Sequence, residues 1–165
     1  MPILDRHALD FWSHSADQTV RFGARLGEML EAGDVLALSG ELGSGKTTFV
    51  SGLCRGWGST DQVTSPTFVL VNEYRRPAGQ RLYHLDCYRL NSGAEALAFG
   101  FDDLLAEEAV VVIEWPERIL EVLPGERLRV GLQWAGDLRR SLRLEASGPR
   151  YIRHIEAFRR SAFGV

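Results

Sequence analysis

Gly40-Glu41-Leu42-Gly43-Ser44-Gly45-Lys46-Thr47 decides how this sequence is read. The stretch matches G-x-x-x-x-G-K-[ST]. An apolar run, Val35 to Ser39, precedes it and reads as a buried strand, and a segment from about Gly45 to Arg55 reads as a helix. Glycines so placed let successive backbone N–H groups turn inward around phosphates, and the helix N-terminus adds positive potential. Lys46 is placed to reach the β- and γ-phosphates, and the Thr47 hydroxyl to ligate Mg²⁺. Of the 19 basic residues only Lys46 is a lysine; the other 18 are arginines. A slim point charge threads a phosphate-cradling loop where the broader guanidinium does not. The stretch predicts a site for ATP and Mg²⁺, with Glu41, Leu42, Gly43, Ser44, Gly45, Lys46, Thr47 and Thr48 around the nucleotide.

A loop of this kind also needs a carboxylate at a neighbouring strand end to complete the magnesium shell. Glu114 directly follows the β-branched run Val110 to Ile113, and Asp86 ends the strand-like segment Arg81 to Leu85. Both are candidate metal-shell and catalytic groups beside Lys46. Val63-Thr64-Ser65-Pro66-Thr67 stands where a switch loop would, although Ser-Pro-Thr is equally an ordinary turn. Trp115 is placed either to close over a nucleotide or to pack in the core. His84 reads as a packing or hydrogen-bonding residue.

Working outward, Ser15-Ala16-Asp17-Gln18 has the form of a capping box, with Phe22, Leu26, Met29 and Leu30 on one face of a helix that Gly33 ends. Gly56 and Gly58 close the helix after the glycine loop. Phe68 to Tyr74 and Arg81 to Leu85 read as strands around a turn at 75–80. A helical stretch from Gly93 to Leu105 leads to the Val110 strand. Arg127 to Trp134 and Ser141 to Ala146 alternate as a hairpin, and a last helix after Pro149 carries Tyr151, Ile155, Phe158 and Ala162 on one face. The order predicts one three-layer α/β P-loop NTPase domain over 1–165, with a mixed sheet and a C-terminal antiparallel hairpin.

Composition narrows the setting. At 45 % hydrophobic and 25 % charged, the chain resembles an ordinary soluble domain. No apolar run approaches the roughly 20 residues that cross a bilayer. Met1 to Asp10 lacks the apolar centre of a signal peptide. Cys54 and Cys87 show neither metal-ligand spacing nor a disulfide framework, which fits a reducing cytoplasm. The net charge of −3 argues against a surface built wholly for nucleic acid. Charge is nonetheless uneven: ten acids against Arg89 and Arg118 between Asp86 and Glu126, then seven arginines against Glu145 and Glu156 between Leu138 and Arg160. Such runs are solvated faces or docking surfaces of opposite sign.

Five motifs in one order then carry a resemblance: GELGSGKTT from Gly40, SPTFVLVNEY from Ser65, HLDCYRL from His84, IEWPE from Ile113, and the hairpin containing Arg140. The sequence resembles the bacterial TsaE family, once called YjeE, over nearly its whole length. The resemblance implies a small ATPase that supports threonylcarbamoyladenosine formation on tRNA by docking on the TsaB–TsaD transferase and resetting it. It implies Thr47 and Glu114 as magnesium ligands, Asp86 and Trp115 in the active site, and Thr19 and Arg140 near the nucleotide. The family usually has Asp and Ala where Glu41 and Ser44 stand. Contact with tRNA is then indirect, through the complex, and no membrane is involved. Two other classes compete: a small-molecule kinase, disfavoured because the stretch after Asp86 is acidic where a phosphate-clamping lid is basic, and a nonhydrolytic, nucleotide-gated scaffold.

Overall fold

A computed structural model describes residues 5–64 and 71–165. Within them runs a seven-stranded mixed sheet in the order β1-β7-β6-β2-β5-β4-β3. The strands are β1 (Ala8–Ser13), β2 (Val35–Ser39), β3 (Val71–Arg75), β4 (Arg81–Asp86), β5 (Val110–Glu114), β6 (Arg127–Trp134) and β7 (Arg140–Ser147). The four central strands, β6, β2, β5 and β4, are parallel. The outer strands β1, β7 and β3 join antiparallel. Every parallel strand therefore ends at one edge, where open α/β sheets bind ligands.

Helices cover the sheet unequally. Leu36, Leu38, Leu82, Val112 and Val130 face α1 (Ala16–Gly27), α2 (Lys46–Trp57) and α5 (Pro149–Phe163). Val35, Tyr83, Leu85, Val111 and Ile113 face α3 (Gly93–Ala98), α4 (Phe101–Ala106) and the turns around Ile119. These are the three layers the sequence implies. Beyond β2 the second face is open to water, and Asp10, Arg143, Glu145 and Arg129 pair across it instead.

Several boundaries differ from the sequence reading. Ala8–Ser13 forms a strand that the sequence analysis did not assign. It is held by pairing with β7 and by Phe11, which packs against Phe22 and Phe158. α1 ends at Gly27 rather than Gly33, and its cap is a variant of the expected box: Ser15 accepts from Gln18 N–H, while the Gln18 side chain reaches His14 N–H. Gly56 lies inside α2, not at its end, which Gly58 forms. The reason is contact. A Cβ on Gly56 would stand 2.0 Å from Ala24 O, and one on Gly52 2.0 Å from Val20 O. Gly23 and Gly27 on α1 meet Phe49 O and Leu53 O in the same way, at 2.3 and 2.1 Å. The two helices touch backbone to backbone along Gly23-x-x-x-Gly27 and Gly52-x-x-x-Gly56. The stretch expected as one helix from Gly93 is two, broken at Gly100, whose φ of +96° no ordinary residue adopts cheaply. The start of the expected strand, 68–70, and Ser65, Pro66 and Thr67 of the expected switch loop lie outside the described residues.

Candidate active site

The glycine loop leaves the end of β2 and enters α2, with Gly45 at the helix N-cap in a left-handed conformation (φ +101°). Space is as restrictive as conformation here. A Cβ on Gly40 would stand 2.6 Å from Leu132 O, so the loop has to pass close to β6. α2 follows with its first N–H groups directed at the loop's hollow.

That hollow, about 300 Å³, is lined by Glu41 through Thr48 together with Asp86, Glu114, Trp115 and Arg140. Topology explains the convergence. Asp86 and Glu114 end the adjacent parallel strands β4 and β5 in register, and β7 runs antiparallel so that Arg140 begins it at the same edge. Thr19 stands next door. It lines a small hollow of about 50 Å³ with Ala16, Gly45, Thr48, Leu138 and Arg140, and its hydroxyl is 2.6 Å from Ser13 Oγ. Each site residue predicted from the sequence thus falls in one of two adjoining hollows. Arg140 lines both hollows, whereas Arg89 and Arg118 line neither. Arg118 stacks on Tyr88, at 5.7 Å, and Arg89 is exposed.

The electrostatics are two-signed. Lys46 Nζ donates to Gly40 O and lies 4.2 Å from the centre of the Trp115 ring. Burial pulls its ammonium below the usual lysine range, against the opposing pull of Glu114, Asp86 and Glu117. Trp115 itself adopts a left-handed backbone (φ 58°, ψ 50°), rare for a bulky residue, between the end of β5 and buried Pro116. Its ring packs on Tyr88 at 5.0 Å. Asp86 uses one oxygen to accept from Tyr88 N–H at 2.9 Å. Ser44 Oγ and Arg140 Nε are buried without a hydrogen-bond partner among the described residues. A site with free backbone donors, two cations and facing carboxylates has the chemistry to take a polyanion together with a divalent cation.

The sequence reading gives His84 a packing or hydrogen-bonding role without naming its partner, and assigns nothing to Tyr88. His84 is a packing residue, but its Nε2 also contacts Glu114 Oε2 at 2.7 Å. Tyr88 supports Trp115. The His84 contact crosses from β4 to β5, so it becomes visible only with the register of the two strands. A larger hollow, about 590 Å³, opens beside Trp57, Arg76, Glu107 and Val110 at the opposite edge. Among the described residues its lining includes no part of the glycine loop and no serine or threonine.

The fold and its loop are those of the P-loop NTPases. The solved structure of YdiB from Bacillus subtilis superposes with a TM-score of 0.78 at 33 % identity, covering 93 % of this chain and 95 % of that one. The model of the family "Threonylcarbamoyl adenosine biosynthesis protein TsaE" matches residues 13–142. The tRNA threonylcarbamoyladenosine biosynthesis protein TsaE of Bacillus subtilis is 44 % identical over 119 residues, 72 % of this chain and 73 % of that protein. Its counterpart in Treponema pallidum is 39 % identical over 130 residues, 79 % of this chain and 95 % of that protein. The chain belongs to the TsaE family, which serves tRNA threonylcarbamoyladenosine biosynthesis.

Proposed function

We propose that this chain is a Mg²⁺-dependent ATPase that acts on the TsaB–TsaD transferase to sustain threonylcarbamoyladenosine formation on tRNA in the cytoplasm. The observation that carries the reading is the single hollow in which the glycine loop, Lys46, Thr47, Glu114, Asp86 and Arg140 meet. Ser44 Oγ and Arg140 Nε, which lack a partner among the described residues, fit a phosphate chain, since both can donate to its oxygens. Thr47 and Glu114 are the donors for magnesium, hard oxygen ligands of the kind that ion takes, with Asp86 beside them. Bound magnesium would neutralise charge developing on the phosphate oxygens.

The chain's own residues supply the rest. Backbone N–H groups of the loop orient the phosphates, and Lys46 exchanges Gly40 O for a phosphate oxygen. Trp115 covers that ammonium on one side and keeps water from it. Arg140 is tethered by its NH1 to Asp137 O and Arg139 O, and by its NH2 to Gly43 O at 3.3 Å. An arginine held on a hairpin turn is set by whatever holds that turn. We therefore expect slow hydrolysis by the isolated chain and faster hydrolysis with TsaB and TsaD.

The deciding experiment is ATP turnover by Lys46→Ala, alone and with the partners. Loss of this charge-assisted contact is expected to cost on the order of 2–4 kcal/mol in transition-state stabilisation while the fold stays intact. Parental turnover by the folded variant would overturn the reading. Fast turnover by the parent alone, unmoved by TsaB and TsaD, would overturn the partner dependence.

A further inference from the structure

His84 is wholly buried on the face of β4 that also carries Leu82. A buried imidazole has two ring nitrogens, and each needs a partner. Nε2 lies 2.7 Å from Glu114 Oε2, and Nδ1 lies 3.4 Å from the Tyr74 hydroxyl. Tyr74 is also buried. Its oxygen receives Thr64 N–H at 3.2 Å and Asn72 Nδ2–H at 3.3 Å, while its single proton has the Thr64 carbonyl within reach at 3.1 Å.

Counting protons orients the ring. A carboxylate oxygen only accepts. Nε2 therefore carries a hydrogen and donates it to Glu114, while Nδ1 faces Tyr74. The Tyr74 hydroxyl joins His84 on one side and Thr64 on the other. Asn72 Nδ2–H also reaches Thr64 O, at 3.1 Å, so it bridges Tyr74 and Thr64.

We infer that His84 is a positioning residue for Glu114, and that Tyr74 ties this pair to the backbone of Thr64. The inference rests on the reading of Glu114 as a magnesium carboxylate. Of the residues in this line only Glu114 borders the hollow, so the line runs from the hollow's wall through β4 and β3 to the chain after α2. Its consequence is reciprocal: whatever fixes Glu114 also steadies Thr64, and the reverse.

Three variants test it. Tyr74→Phe keeps the ring and removes the hydroxyl. His84→Leu removes both nitrogens, and His84→Gln restores an N–H donor near Nε2. In the ligand-free protein, amide hydrogen exchange at Thr64 is expected to quicken in Tyr74→Phe and His84→Leu, and less in His84→Gln. With a fluorescent ADP, His84→Leu is expected to need roughly 10–100-fold more Mg²⁺ for the same gain in affinity. Its binding without Mg²⁺ should match the parent, and His84→Gln should recover most of the loss. Should His84→Leu fail to fold, His84→Gln and Tyr74→Phe carry the same comparison.

Parental exchange at Thr64 in a folded His84→Leu would overturn the line. A parental Mg²⁺ requirement, or a loss that His84→Gln does not relieve, would overturn the positioning role. If the parent binds no ADP at all, the nucleotide reading fails, and the exchange at Thr64 still decides the line.

Discussion

Cys54 and Cys87 are both buried, and burial pushes each thiol up to about 12. The thiolate is the reactive form, so at pH 8 the folded protein is expected to resist alkylation by iodoacetamide and to take two labels once unfolded. Mass spectrometry before and after denaturant reads this directly, and a rapid native label on either cysteine would contradict it. Thr47 and Glu114 call for a different measurement. Thr47→Ala removes a hydroxyl at the start of α2, and Glu114→Gln keeps shape while removing charge. Each is expected to raise the Mg²⁺ concentration needed for hydrolysis without changing the thermal midpoint much. Parental magnesium dependence in both would withdraw the metal assignment.

Helix α1 and helix α2 set a prediction that runs against helix propensity. Alanine is better than glycine inside a helix by about 1 kcal/mol. Yet Gly52→Ala and Gly56→Ala each put a methyl 2.0 Å from a carbonyl oxygen of α1. Overpacking of this kind costs typically 1–3 kcal/mol, so both variants are expected to lower stability in denaturant titration. A stabilised Gly56→Ala would show that the helices part easily. Helix α5 makes a second case. Asp34, fully buried at the start of β2, accepts from Arg150 Nε at 2.6 Å and from Glu31 N–H at 2.8 Å, and its Oδ2 lies 2.7 Å from His154 Nε2. Asp34→Ala strips these partners together and is expected to cost about 3 kcal/mol, with amide exchange rising first in α5. These elements also mark how far the sequence could be read. The strand–loop–helix, the Val110 run and the C-terminal hairpin declare themselves because their periodicity and turn residues agree. Ala8–Ser13 does not, since its buried positions include Ala8 and Ser13 while Trp12 is half exposed. Gly56 reads as a helix stop in one dimension, and only the neighbouring helix shows it to be a contact. His84 needs the register of β4 against β5 before its bond to Glu114 can be seen.

Across the whole molecule, the opposed charge runs divide into spent and available charges. Arg143 pairs with Asp10 and Glu145, Arg150 with Asp34, and Arg140 lines the hollow. Arg159 is buried and donates to Asp5 O and Ala8 O, so reversing it would damage the fold rather than probe a surface. Arg153 and Arg160 are exposed and form no ion pair among the described residues. The double reversal Arg153→Glu, Arg160→Glu is therefore the proper test of docking charge. Complementary surface charge acts chiefly on encounter rate and fades beyond a Debye length of about 8 Å at physiological salt. Association with TsaB–TsaD is expected to slow as salt rises and to slow further in the double variant, with ADP affinity unchanged. An on-rate indifferent to both would assign these arginines to solvation alone.

The glycine seam between α1 and α2 also bears on the order in which the molecule is made. Residues 16–57 form a local unit, two helices clasped over β2, whose contacts close short loops. Glu114 and Arg140 lie far downstream in the chain. On the ribosome, synthesis proceeds from the N-terminus, and the seam can form while both are still untranslated. The glycine loop thus leaves the ribosome ahead of the strands that bring Glu114 and Arg140 to it.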